Sequence, residues 1–128
     1  MKTNHKIVLG VLLGIAVGFA FSASIHARQM KKAPGYVVAE VDVTDPATFQ
    51  KYAEKTPGTL APFNGQYIIR GGKNNSIEGE PPKRFVVIQF ESMEKAQAAY
   101  TSPAYMDARK VGDQYAKLRI FAVEGVAL

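Results

Sequence analysis

The chain has 128 residues, 47% of them apolar and 21% charged, which is the size and makeup of one folded domain. It contains no cysteine, which excludes a disulfide framework and a cysteine nucleophile. Its 16 basic and 11 acidic residues give a net charge of +5, too mild and dispersed to point to nucleic acid.

The first element is an uncharged apolar run, Ile7 to Phe21, preceded by Lys2, His5 and Lys6 and followed by small residues at Ser22, Ala23, Ser24 and Ala27. This is the layout of a secretory signal, with cleavage after Ala27 and a mature chain from Arg28. An uncleaved membrane anchor is the alternative. Ile7 to Ile25 approaches the roughly 20 residues that span a bilayer. Gly10, Gly14 and Gly18 recur at the spacing that lets membrane helices approach. Arg28, Lys31 and Lys32 lie just beyond the run, against the usual charge bias for export of the downstream domain. In both cases the domain is expected outside the cytoplasm, periplasmic or secreted, and tied to a membrane only if the segment is kept.

Cleavage removes both histidines, His5 and His26, and leaves 14 basic against 11 acidic residues, a net +3. A mature domain without His or Cys excludes a Ser-His-Asp triad, histidine haem ligation and the common zinc sites. No metal or cofactor is expected, and any catalysis falls to Asp, Glu, Lys, Tyr or Arg.

Residues 28–34 read as a polar linker ending at Pro34, and the domain occupies 35–128. Tyr36 to Val43 is β-branched and partly alternating, a strand. Asp45-Pro46 is an N-cap followed by proline at the first helical position, and Phe49, Tyr52, Ala53 and Leu60 come after it at helical spacing. That helix is predicted to end near Thr56-Pro57-Gly58. Asn64-Gly65 marks a turn into a second strand, Gln66 to Arg70, stopped by Gly71-Gly72. Residues 71–82 form a polar connection of a length that is usually functional or mobile. Arg84 to Phe90 is the clearest strand. Ser92 caps a helix through Tyr100, Ser102-Pro103 starts another through about Lys117, and Leu118 to Glu124 is the last strand.

The order β-α-β-β-α-α-β is a ferredoxin-like split βαβ arrangement with its second helix broken in two. The stretch Gly35 to Gly125 also resembles the bacterial domain of unknown function 1330. The resemblance is carried by Gly35-Tyr36, Val43-Thr44-Asp45-Pro46, Tyr52, Gly65 to Gly72 with Arg70-Gly71-Gly72, and Glu78-Gly79. It continues through Arg84, Phe90-Glu91-Ser92, Tyr100, Ser102-Pro103-Ala104-Tyr105, Arg109 and Glu124-Gly125. Two departures stand out: Asn64-Gly65 replaces a usual pair of glycines, and Gln89 stands where Glu is common. The resemblance implies an α+β fold of the dimeric α+β barrel type, a four-stranded antiparallel sheet with helices on one face, and a homodimer; it implies no known reaction.

Strand parity assigns faces. Val37, Ala39, Val41 and Val43, Tyr67 and Ile69, Val86, Ile88 and Phe90, and Leu118, Ile120 and Ala122 are expected to face the helices. Tyr36, Val38, Glu40 and Asp42, Gln66, Ile68 and Arg70, Phe85, Val87 and Gln89, and Arg119, Phe121 and Val123 are expected on the open face. That second set mixes aromatic walls with a few polar groups, as small-molecule pockets and dimer interfaces both do. The candidate ligand-binding residues are Arg70, Glu78, Glu40, Tyr36, Phe85 and Arg119. Arg70 is the ligand-facing charge, free to meet an anion or Glu78, while Glu40 and Arg119 form a structural pair. Tyr52 and Tyr105 fall on apolar helix faces and read as core, and Ser102 as a cap with no histidine to activate it. No residue is identified as catalytic.

Two functions fit these features. One is a non-catalytic binding or assembly module of the cell envelope, dimeric and open to a small organic ligand. The other is a cofactor-independent enzyme, isomerase or oxygenase-like, acting on a small organic substrate, suggested only by relatives of the fold.

Overall fold

β1 (Gly35–Val43) is the strand around which the domain is built, since its apolar alternation leaves Val37, Ala39 and Val41 buried on one side. The computed structural model describes residues 31–128; the signal or anchor segment expected at residues 1–27 lies outside them. From β1 the chain enters α1 (Pro46–Leu60), a short 3-10 turn (Ala61–Phe63), β2 (Gln66–Arg70) and β3 (Arg84–Phe90). It closes through α2 (Met93–Tyr100), α3 (Pro103–Tyr115) and β4 (Ala116–Glu124). The sheet order is β2-β3-β1-β4 with every pair antiparallel, the ferredoxin-like arrangement that the element order predicts.

Each helix starts where its cap chemistry places it. Asp45 accepts from the Thr48 amide at 3.3 Å and the Thr48 hydroxyl at 2.8 Å, bonds that hold its carboxyl below the usual range. Ser92 and Ser102 accept from the amides of Lys95 and Tyr105. Asn64, where the family usually has glycine, takes φ 56°, the left-handed conformation that Asn tolerates best after glycine.

Two boundaries differ from the sequence reading. α3 ends at Tyr115 and β4 begins at Ala116, because Ala116 pairs with Val43 across the ladder and extends it. More consequentially, α1 does not stop at Thr56-Pro57-Gly58 but runs on to Leu60, with Pro57 inside it. Proline has no amide hydrogen, so the Ala53 carbonyl one turn earlier loses its intrahelical donor. Arg70 supplies the replacement, its Nη2 donating to that carbonyl at 3.2 Å. The extra turn carries Leu60 into the core, where it is wholly buried.

The parity assignment holds on β1, β3 and β4 and fails on β2. Tyr67 pairs with Ile88, but Ile69 pairs with Val87 and Arg70 with Val86, so Ile68 is an extra residue in a β-bulge. One inserted residue exchanges the faces of everything after it. Ile69 therefore lies on the open face and Arg70 on the helix face, the reverse of the expectation.

The core fills the space between the sheet and the three helices. Val37, Ile88 and Phe90 meet Leu60, Ala96, Ala99 and Tyr105 there. Gly112 lets α3 approach α1 closely: a Cβ at that position would stand 3.0 Å from the Tyr52 ring.

Candidate functional site

The six residues singled out from sequence do not form one site. Glu40 and Arg119, opposite each other on β1 and β4, make a two-pronged ion pair, Nε and Nη2 each 2.8 Å from a carboxylate oxygen. Phe85 lies beside Glu40 in the ladder, and Tyr36 sits at the far end of the same face with its ring against Gly125. Glu78 is exposed on the 71–82 connection, and among the described residues no ion pair joins it to Arg70. Arg70 is on the opposite side of the sheet.

The groove beside the connection is lined by six charged residues. Four of them are already paired, Lys83 Nζ lying 3.0 Å from Asp42 while Arg119 grips Glu40, and Glu80 and Lys117 have no ion pair among the described residues.

The displaced Arg70 instead joins a cavity of about 50 Å³ between the sheet and α1. Strand residues Ala39, Val86, Ile88 and Ile120 form its apolar floor, and Phe49, Ala53 and Thr56 of α1 form the roof. Three tyrosines, Tyr52, Tyr67 and Tyr100, and two arginines, Arg70 and Arg84, supply its polar groups. Such a mixture, mostly apolar with a few convergent polar groups, is the makeup of a small-molecule site.

Arg70 reaches the cavity because the bulge in β2 turns it inward. Its guanidinium carbon lies 4.6 Å from the centre of the Tyr67 ring, a cation-π contact, while Nη2 holds the Ala53 carbonyl. Arg84 begins β3 on the parity of Val86 and Ile88 and so faces the same way. Its guanidinium rests on Gly71, where φ is +65° and a Cβ would stand 2.5 Å from Nη1. The left-handed conformation favours glycine here, and a side chain would push the flexible end of Arg84 aside. The sequence reading used Arg84 as a family marker but not as a site residue, although its parity with three apolar neighbours was the available signal.

The tyrosines are held neutral. Burial, first of all, raises the Tyr100 and Tyr105 hydroxyls well above the usual tyrosine range, with Tyr105 and Tyr52 adding to it at Tyr100 and Tyr52 at Tyr105. Tyr105 shares a hydrogen bond with Tyr52 at 3.3 Å, and its ring lies tilted against Tyr100 with centroids 4.3 Å apart. Burial raises Tyr67 as well, against the opposing pull of Arg70 and Arg84. At neutral pH these hydroxyls are hydrogen-bond donors, not bases.

The same shifts set the alkaline limit of stability. A tyrosine whose folded pKa lies above its ordinary value near 10 stabilises the fold fully below pH 10; that contribution is lost as the pH rises through the folded value. Stability is expected to fall steeply above about pH 10, with tyrosinate absorbance and loss of far-UV circular dichroism coinciding. Ionisation of all six tyrosines with the fold intact would contradict the burial of Tyr100 and Tyr105.

A family model described as Domain of unknown function (DUF1330) matches residues 34–126. Among solved structures, a protein of unknown function from Rhodopseudomonas palustris is similar at a TM-score of 0.59, with 15% identity over 84% of this chain and 92% of that one. A candidate antibiotic biosynthesis monooxygenase from Caulobacter crescentus gives 0.54, with 14% identity over 79% and 97%. SnoaB, a cofactor-independent oxygenase from Streptomyces nogalater, gives 0.51, with 13% identity over 76% and 96%. At these identities the likeness is one of fold. A search of curated proteins finds no match to the chain.

Proposed function

We propose, for a chain that belongs to the DUF1330 family of domains of unknown function, that its domain is an exported, dimeric module that binds a small organic molecule in the cavity between sheet and helices. The observation that carries this reading is the cavity wall itself, apolar on the floor and roof with three tyrosines and two arginines among its lining. Binding is favoured over turnover by the same wall. It contains no carboxylate, and Tyr67 and Tyr100 are too weakly acidic to serve as bases near neutrality.

Filling the cavity tests this. Ala53 sits in the roof, and Ala53→Leu adds three carbons into the space. In a thermal-shift screen of small metabolites, compounds that stabilise the wild-type domain are expected to lose their effect on Ala53→Leu, whose far-UV circular dichroism stays unchanged. Equal shifts in both proteins would move the site elsewhere.

Export rests on the basic and apolar N-terminal segment. Intact-mass spectrometry of protein from its native host is expected to find a chain beginning at or near Arg28, and an intact Met1 in the membrane fraction would replace export with anchoring. Dimerisation rests on the apolar open face of the sheet. Phe121 and Val123 are 45% and 44% exposed there, and all three helices lie on the other side.

A further inference from the structure

We infer that the ligand of this cavity is a short carboxylate, of two or three carbons, whose anionic group is received by Arg84 and Arg70 beside the Tyr67 hydroxyl. The inference rests on the binding reading above and adds the ligand's charge and size.

The charge is inferred from an imbalance. Among the described residues every other half-buried cation or carboxylate in the sheet has a partner: Glu40 holds Arg119 and Asp42 holds Lys83. Arg84 is half-buried and has neither an ion pair nor a side-chain hydrogen bond among the described residues, whereas Arg70 is exposed and has the Ala53 carbonyl and the Tyr67 ring. A partly desolvated guanidinium without a partner is costly, and the cost is relieved by an anion. Guanidinium groups are forks matched to carboxylate oxygens. Both groups line the same cavity as Tyr67, and Arg70 lies over the Tyr67 ring. Tyr67, held neutral, adds a donor.

Gly71 leaves the Arg84 guanidinium its place without displacement, and the bulge in β2 brings Arg70 to the same side of the sheet. The size is set by the volume. About 50 Å³ is roughly a third of the ~150 Å³ cavity that takes benzene, which favours acetate or propionate over an aromatic acid. The apolar floor of Ala39, Val86 and Ile88 suits the methyl or ethyl end.

The test uses propionate, its neutral isostere propionamide, and benzoate, titrated into the mature chain and followed by backbone amide shifts in nuclear magnetic resonance. Propionate is expected to saturate, with shifts centred on Tyr67, Gly71 and Arg84. Propionamide is expected to bind at least about tenfold more weakly, as removal of a charged hydrogen-bond partner implies, and benzoate more weakly as well because of its ring's size. Arg84→Gln is the informative variant, because Arg70 also satisfies the Ala53 carbonyl and its loss would disturb α1. It is expected to weaken propionate about tenfold or more at unchanged circular dichroism, and Arg84→Lys to recover part of the loss. Propionamide binding as tightly as propionate, or an unchanged Arg84→Gln, would overturn the anion seat. Larger neutral compounds that bind and are lost in Ala53→Leu would likewise overturn it while leaving the cavity reading intact. A cavity that takes no compound at all would end both.

Discussion

Leu60→Ala is expected to cost about 3–5 kcal/mol of stability, read as a lowered midpoint in urea. Leu60 is wholly buried and lies in the turn of α1 beyond Pro57. A proline inside a helix costs about 3 kcal/mol or more, and Gly58 adds roughly another 1. The local sequence therefore favours stopping at Thr56. What carries the helix past that point is the burial of Leu60, aided by the Arg70 donor on the Ala53 carbonyl. The truncated side chain leaves a cavity and also releases the turn. Amide exchange at Leu60 to Asn64 is expected to quicken well before global unfolding in the variant. A loss below about 1 kcal/mol with unchanged exchange would show that the turn stands without its anchor.

That conflict explains where the sequence was legible. Caps and proline positions are local chemistry, so Asp45, Ser92 and Ser102 announced their helices correctly. The β1, β3 and β4 faces were legible because each strand alternates long enough to fix its register, and the Glu40–Arg119 pair came with that register. The continuation through Pro57 was not, since it depends on a core contact distant in sequence. Nor was the bulge at Ile68, in a strand of only five residues where two adjacent isoleucines satisfy either register. The error mattered most at Arg70, because one added residue moved the leading candidate from the open face into the cavity. Arg84 was passed over because a charge at a strand start reads as a surface residue, while its partner positions show that it faces inward. Glu78 remained what a loop carboxylate ordinarily is, exposed.

Placing a carboxylate in the centre of the open face is expected to split the proposed dimer. Val38 on β1 stands opposite Val87 and Phe121, at the middle of an apolar patch that also includes Phe85, Val123 and Ile69. A symmetric contact presents the same patch twice, so each substitution enters it twice. In Val38→Glu two carboxylates would be desolvated in an apolar contact, without a partner cation, because Arg119 is already engaged by Glu40. Sedimentation of the wild-type mature chain at micromolar concentration is expected to show a dimer. Val38→Glu is expected to show a monomer with native far-UV circular dichroism, since the side chain is half-exposed in the single chain and points away from the helices. The variant also separates assembly from binding. The cavity lies on the other side of the sheet, its lining drawn from this chain alone, so a monomeric Val38→Glu is expected to bind propionate as the wild type does. A wild-type chain that sediments as a monomer would remove the second copy from the reading. A Val38→Glu chain that stays dimeric would move the contact to another surface.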